Sequence, residues 1–160
     1  RSVGSGNPGA TNIGRAMGRK TGILVGVLDV LKGLLPAVAF RYFTGDVGVA
    51  EVAGFAAVLG HVTSPFLKGR GGKGVATSLG AIMAIQPIWL LPLLAVFLVV
   101  IRVSHRVGIA SVAAGLTLIP ASLAWHSATS EIVFACAMAG LIVLRHQSNI
   151  RGAIAARIRS

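Results

Sequence analysis

Apolar residues in this chain gather into long runs separated by short polar, glycine-rich or basic pieces. The runs extend from Ile23 to Phe43, from about Val47 to Leu59, from Val75 to Ile101, from Val107 to Trp125 and from Ile132 to Leu144. A helix needs about 20 apolar residues to cross about 30 Å of hydrocarbon, and the first run is long enough by itself. The run from Val75 to Ile101 carries Gln86-Pro87 inside it and Pro92 further on. It fits one tilted helix, or two short helices hinged at Gln86-Pro87. The predicted fold class is all-α: a polytopic integral membrane helical bundle, one domain over residues 1–160.

Charge chooses between the two topologies. Cytoplasmic loops of membrane proteins are enriched in Lys and Arg. With two crossings between Val75 and Ile101, the basic clusters share one side: Arg15, Arg19 and Lys20; Lys68, Arg70 and Lys73; Arg102 and Arg106; and the tail from Arg145. Arg41 and the acids Asp46, Glu51 and Glu131 fall on the other side, and Lys32 is intramembrane. With one crossing the separation collapses. The reading is therefore six membrane segments with both ends cytoplasmic. The two halves of the broken run would reach only about 18–21 Å as helices. They must lie in thinned or protein-shielded membrane, or be partly re-entrant.

Composition excludes other classes. The chain is 54% hydrophobic and 12% charged, whereas soluble domains are about 25% charged. It carries 15 Lys and Arg against 4 Asp and Glu, a formal +11. Basic chains often bind nucleic acid, but here the basic residues sit in short clusters between apolar runs, with two Trp and one Tyr for base stacking. Anionic lipid and anionic substrates explain the charge better than nucleic acid does. A lone Cys136 excludes a disulfide within the chain and reads as a small buried residue. The chain starts with Arg1 and without the pattern of a signal peptide, so a fragment or processed piece is expected.

The polar pieces carry the candidate chemistry. The first reads Gly4-Ser5-Gly6-Asn7-Pro8-Gly9-Ala10-Thr11-Asn12, followed by Arg15. It matches GxGxxG formally, yet a dinucleotide site needs a preceding strand and a βαβ unit, and the surroundings are helical and apolar. Glycines do let backbone N–H groups approach an anion. Ser5, Asn7, Thr11 and Asn12 add uncharged donors, and Arg15 a bidentate one. The second piece runs from Gly60-His61 to Gly74. It is not a P-loop, because Lys73 is followed by Gly74 instead of Ser or Thr. Lys73 nevertheless sits among glycines at a predicted helix start, where N–H groups favour an anion. Lys68 and Arg70 fit a solvated loop facing lipid headgroups. The third piece, His146-Gln147-Ser148-Asn149, places His146 and Asn149 on one helix face. That spacing suits a general base and an orienting amide. Asp29 and Lys32 are also three apart within the first membrane run, as an ion pair or as support for the first loop. His105 and His126 read as turn residues, and Ser111 as a small serine near the cytoplasmic end of a membrane helix.

Together the three loops resemble one family, the bacterial acyl-phosphate-dependent glycerol-3-phosphate acyltransferases (PlsY). GSGNPGATN with Arg15 is similar to the family's first motif, Gly60-His61 through GGKGVAT at Gly71–Thr77 to its second, and RHQSNI at Arg145–Ile150 to its third. The resemblance covers nearly the whole chain. It implies a missing N-terminal membrane helix, because members usually have one more. It also implies transfer of an acyl chain from acyl phosphate to the sn-1 hydroxyl of glycerol 3-phosphate, giving lysophosphatidic acid and phosphate with no metal or other cofactor. Carried over by motif, Ser5, Gly6, Asn7, Thr11, Arg15 and Lys73 would hold phosphate, and Arg19 and His61 would help place glycerol 3-phosphate. His146, Asn149 and Ser111 would form the reacting centre. The family tends to have a second serine at the position of Gly108, and Pro8 and Thr63-Ser64 also differ from its pattern. The implied location is the bacterial inner membrane, multi-pass, with the site on the cytoplasmic face.

Two rivals use the same loops. An anion transporter expects midplane sites and often internal repeats, but no repeat is visible and the polar motifs fall on one face. A metal-dependent lipid phosphotransferase wants clustered carboxylates, which four scattered acids do not supply. A lipid-binding membrane protein is the further alternative.

Overall fold

The computed structural model describes residue 4 and residues 6–158. The chain divides into two compact units, one up to Ile85 and one from Gln86 onward.

In the first unit, α1 (Ala10–Met17) turns at Gly18, whose φ of 95° only glycine adopts cheaply, into α2 (Arg19–Thr44). Small residues let α1 lie back against α2. Gly14 faces Gly22, where an added Cβ would come within 2.6 Å of the Gly14 Cα, and Ala10 faces Gly26. The N-terminal stretch, expected to be a loop, is thus partly a helix folded back along the first membrane helix. Its start lies level with Gly26, about 10 Å along α2 from Arg19. Asp46 opens α3 (Val47–Val62) by accepting from the N–H groups of Gly48 (2.7 Å) and Val49 (3.3 Å). A 3-10 turn, Pro65–Leu67, then leads back to α4 (Val75–Ile85).

The helix α4 has 11 residues, about 16 Å, and does not span a bilayer. It is sheltered by protein, one of the alternatives its length left open. Gly80 meets the backbone of Val30 and Leu34, Gly33 meets the Thr77 carbonyl, and Gly54 meets Ala81 and Ala37. Arg41 Nη1 donates to the Ala84 and Ile85 carbonyls at 2.7 and 3.0 Å, so it satisfies the end of α4. Glu51, expected in an outer loop, is buried in α3.

The second unit opens with a 3-10 turn, Pro87–Trp89, so the break expected at Gln86-Pro87 is present. Then come α5 (Leu90–Ser104), α6 (Val107–Leu116) and α7 (Leu118–Ala124). Pro120 lacks the N–H that would bond back to Leu116, which accounts for the break between α6 and α7. Next is α8 (Thr129–Arg145), where Glu131 accepts from the Ala128 N–H (2.9 Å) and from Gln86 Nε2 (3.3 Å). Trp89, Leu118, Phe134, Met138 and Ile142 are buried. The last helix, α9 (Gln147–Ile158), bends 60° from α8.

Large apolar residues face outward on α2 (Ile23, Leu24, Leu28, Leu35) and α5 (Leu91, Leu94, Leu98). Small residues fill the helix crossings, an arrangement suited to lipid. All six predicted segments form helices. Among the described residues, four stretches are long and apolar enough to cross a membrane: Arg19–Thr44, Val47–Leu67, Pro87–Ser104 and Val107–Ala124. The α8–α9 pair makes a fifth if counted as one span. Six crossings would require α4 as well, and by length it does not reach across.

Candidate active site

The first unit holds the first two loops. Gly6 has φ 67°, and Asn7 Oδ1 accepts from the Gly9 N–H at 3.3 Å, which closes the turn into α1. Within α1 the first N–H bonded back is that of Asn12, to the Gly9 carbonyl. The groups ahead of it form the positive end of the helix. Asn12 is buried and its side chain lies against Gly4. Thr11 and Arg15, four apart, are both exposed on α1. Ser5 lies outside the described residues.

The second loop folds onto the end of α3. His61, expected in the loop, belongs to the last turn of α3, because the helix continues past Leu59 to Val62. Its Nδ1 lies 3.5 Å from Asp29 Oδ1, which also takes a 2.8 Å bond from Lys32 Nζ. Its Nε2 lies under Gly72, where an added Cβ would overlap the ring. Gly71 donates to the Val62 carbonyl at 3.0 Å, and Gly74, with φ 83°, accepts from the Ser78 N–H at 2.7 Å. Lys73 is half-buried, two residues before the first residue of α4, at the helix start the sequence predicts. Arg19 is exposed at the first position of α2. A shallow apolar groove runs along α2 past Ile23, Gly26 and Val30 to Ala76 in the first turn of α4. Gly26 touches Ala10, so the starts of α1 and α4 both border this groove.

The second unit holds the third motif. His146 ends α8 and is 2% exposed. Its backbone N–H bonds to the Val143 carbonyl, which leaves the Ile142 carbonyl to its own Nδ1 at 2.8 Å. A carbonyl only accepts, so Nδ1 carries a proton, and in the neutral ring Nε2 is the basic nitrogen. The His146 carbonyl accepts from the Asn149 N–H at 2.9 Å, which joins the two residues across the α8–α9 corner. The Asn149 side chain lies on Gly108 of α6. Ser111, one turn further along α6, is buried and donates to the Val107 carbonyl at 2.9 Å. The absence of a side chain at Gly108 therefore makes room for the amide beside the turn that holds Ser111.

Sequence reasoning named Asp29 without its link to His61, and it missed Gly72 and Gly108 as contact positions. Among the described residues, no three His, Cys, Asp or Glu side chains group closely enough to hold a metal ion.

These features define an integral membrane protein of helices, lipid-facing outside and carrying basic, glycine-rich loops at helix starts. The chain belongs to the glycerol-3-phosphate acyltransferase family, whose model matches residues 1–156. It is 39% identical over 155 residues to the glycerol-3-phosphate acyltransferase of Thermoanaerobacter sp. (strain X514), covering 97% of this chain and 78% of the relative. To that of Aquifex aeolicus (strain VF5) it is 39% identical over 158 residues, covering 98% and 82%. It is similar to the crystal structure of PlsY, an integral membrane glycerol 3-phosphate acyltransferase, in its glycerol 3-phosphate form. That match has a TM-score of 0.92 at 38% identity and covers 98% of this chain and 79% of the other. The lysophosphatidic acid form matches with a TM-score of 0.90 at 37% identity, covering 96% and 79%.

Proposed function

We propose that this protein transfers an acyl chain from acyl phosphate to the sn-1 hydroxyl of glycerol 3-phosphate, giving lysophosphatidic acid and phosphate for phospholipid synthesis. Residues 1–160 act as one acyltransferase domain in a bacterial inner membrane, with the loops on the cytoplasmic face. The observation that carries the reading is the His146 ring. Its Nδ1 is fixed by the Ile142 carbonyl, so Nε2 is the basic nitrogen, and Asn149 follows one turn on.

Roles divide between the units. In the first, Arg15, Thr11, Lys73 and the N–H groups opening α1 and α4 suit phosphate. Ser5, Gly6 and Asn7 belong to the same motif. Arg19 and His61 would place glycerol 3-phosphate, and the apolar groove along α2 suits an acyl tail. In the second unit, Asn149 and Ser111 would orient the reacting groups while His146 Nε2 takes the proton of the glycerol hydroxyl. The hydroxyl oxygen attacks the acyl carbonyl, the carbon–oxygen bond to phosphate breaks, and the proton passes to the departing phosphate. No acyl-enzyme forms. Fixed donors stabilise the charge that develops on the leaving group.

The test is phosphate release by purified protein given glycerol 3-phosphate and palmitoyl phosphate, with palmitoyl-CoA in parallel. Release that depends on glycerol 3-phosphate, with lysophosphatidic acid formed, supports the reaction and its donor. Turnover with the thioester alone would overturn the donor assignment.

A further inference from the structure

The basic tail of the chain takes the form of α9. Ile150, Ile154 and Ile158 recur every fourth residue, so they fall within about 80° of one another around the helix. Ile154 and Ile158 are 56% and 79% exposed. Arg151 and Arg157 each lie about 20° outside this stripe, one on either flank. Near its start the helix is tied to α6: the Asn149 side chain lies on Gly108, and Arg106 Nη1 donates to the Gly152 carbonyl at 3.5 Å. Thus α9 is held to α6 in its first turns and carries exposed isoleucines edged by arginines further on.

A stripe of this kind in water would expose apolar surface for nothing. Its position supplies the partner. The helix begins where the apolar α8 ends and bends away from it by 60°, so the two do not run on as one straight span. Arginine stems can lie along apolar surface while the guanidinium groups reach phosphate. We infer that α9 is an interfacial helix that rests on the anionic headgroup surface of the protein's own membrane. Ile154 and Ile158 enter the acyl region, and Arg151 and Arg157 meet lipid phosphates. Asn149 stands in the first turn of α9, so lipid that steadies α9 also steadies a residue of the reacting centre. The placement rests on the membrane fold alone; the effect on turnover rests on the acyltransferase reading.

Two measurements test this in the full chain reconstituted in liposomes of phosphatidylcholine with or without phosphatidylglycerol. First, Cys136→Ser provides a background for nitroxide labels on Ile154→Cys and Ala155→Cys. The label at 154 should be reached by oxygen and shielded from an aqueous nickel relaxant, and that at 155 the reverse. Equal access of the nickel relaxant to both would overturn the placement, whatever the enzyme turns over. Second, an arginine near an anionic surface contributes about fivefold to partitioning. Arg151→Gln with Arg157→Gln should therefore lose most of the stimulation by phosphatidylglycerol while keeping turnover in phosphatidylcholine. Undiminished stimulation in that variant would refute the role of the arginines.

Discussion

Replacing His146 tests the proposed chemistry most directly, because the ring has two separable jobs. One is structural. Nδ1 satisfies the Ile142 carbonyl at 2.8 Å, and no backbone N–H from position 146 is left for that group. In His146→Ala a buried carbonyl loses its donor, which costs about 1–3 kcal/mol. The void left by a ring that is 2% exposed adds about 2 kcal/mol or more. The other job is chemical. A positioned general base contributes about a hundredfold to ten-thousandfold, equal to about 3–5 kcal/mol of barrier. The two penalties are of similar size, so the alanine variant alone cannot apportion them. His146→Gln can, because an amide donates to the Ile142 carbonyl yet takes no proton. Both variants should lose at least about a hundredfold in kcat with KM nearly unchanged, and glutamine should recover most of the lost thermal stability. The measurement is glycerol 3-phosphate-dependent phosphate release beside a detergent melting curve. A well-folded His146→Gln variant within about tenfold of the wild-type kcat would refute the base assignment.

Gly80→Ala places a methyl group against the Val30 carbonyl and 2.8 Å from the Leu34 nitrogen, so it should lower stability by about 3 kcal/mol, read as a drop of several degrees in Tm. Arg41→Ala frees two α4 carbonyls at a solvent-exposed position and should cost about 1–2 kcal/mol, with activity per folded molecule unchanged. Lys73→Gln removes the charge proposed to hold phosphate and should raise KM for a phosphate-bearing substrate about tenfold or more, which initial-rate kinetics would measure. Asp29→Asn leaves Lys32, midway along the α2 span, without its carboxylate partner, so stability should fall by about 1–3 kcal/mol. It should also act through His61, as a rise of about threefold to tenfold in KM for glycerol 3-phosphate at near-normal kcat.

Much of the fold was legible because lipid imposes long apolar runs, and because Gln86-Pro87 interrupts one of them with a residue that lacks an N–H. Hence the segments, the break at Gln86-Pro87 and the helix start after Lys73 are where the sequence puts them. The fold-back of α1 was not legible. Gly14, Gly22 and Gly26 read as loop composition until their faces are seen to meet, and Ala10–Met17 has no apolar run to announce a helix. His61 was read as a loop residue because an apolar-run criterion stops at Leu59, although the helix goes on for one more turn. The Asp29–His61 approach joins residues far apart in sequence, which no local spacing reveals. For the third motif, the spacing of His146 and Asn149 predicted their association, but the corner between α8 and α9 that joins them through the backbone was not visible.

The crossing of α2 and α4 has an evolutionary consequence. At Gly33 and Gly80 the opposing atoms are main-chain ones, of Thr77 and of Val30 and Leu34. Main chain cannot be trimmed by a second substitution, so no compensating change at the partner residue can rescue a larger side chain. Drift at these two positions is blocked unless the helices re-cross at another angle. The lipid-facing positions of α2, by contrast, exchange freely among apolar residues. In distant relatives the glycine pair should outlast nearly every other marker in the membrane-embedded sequence, and its loss should signal a changed helix arrangement before overall identity does.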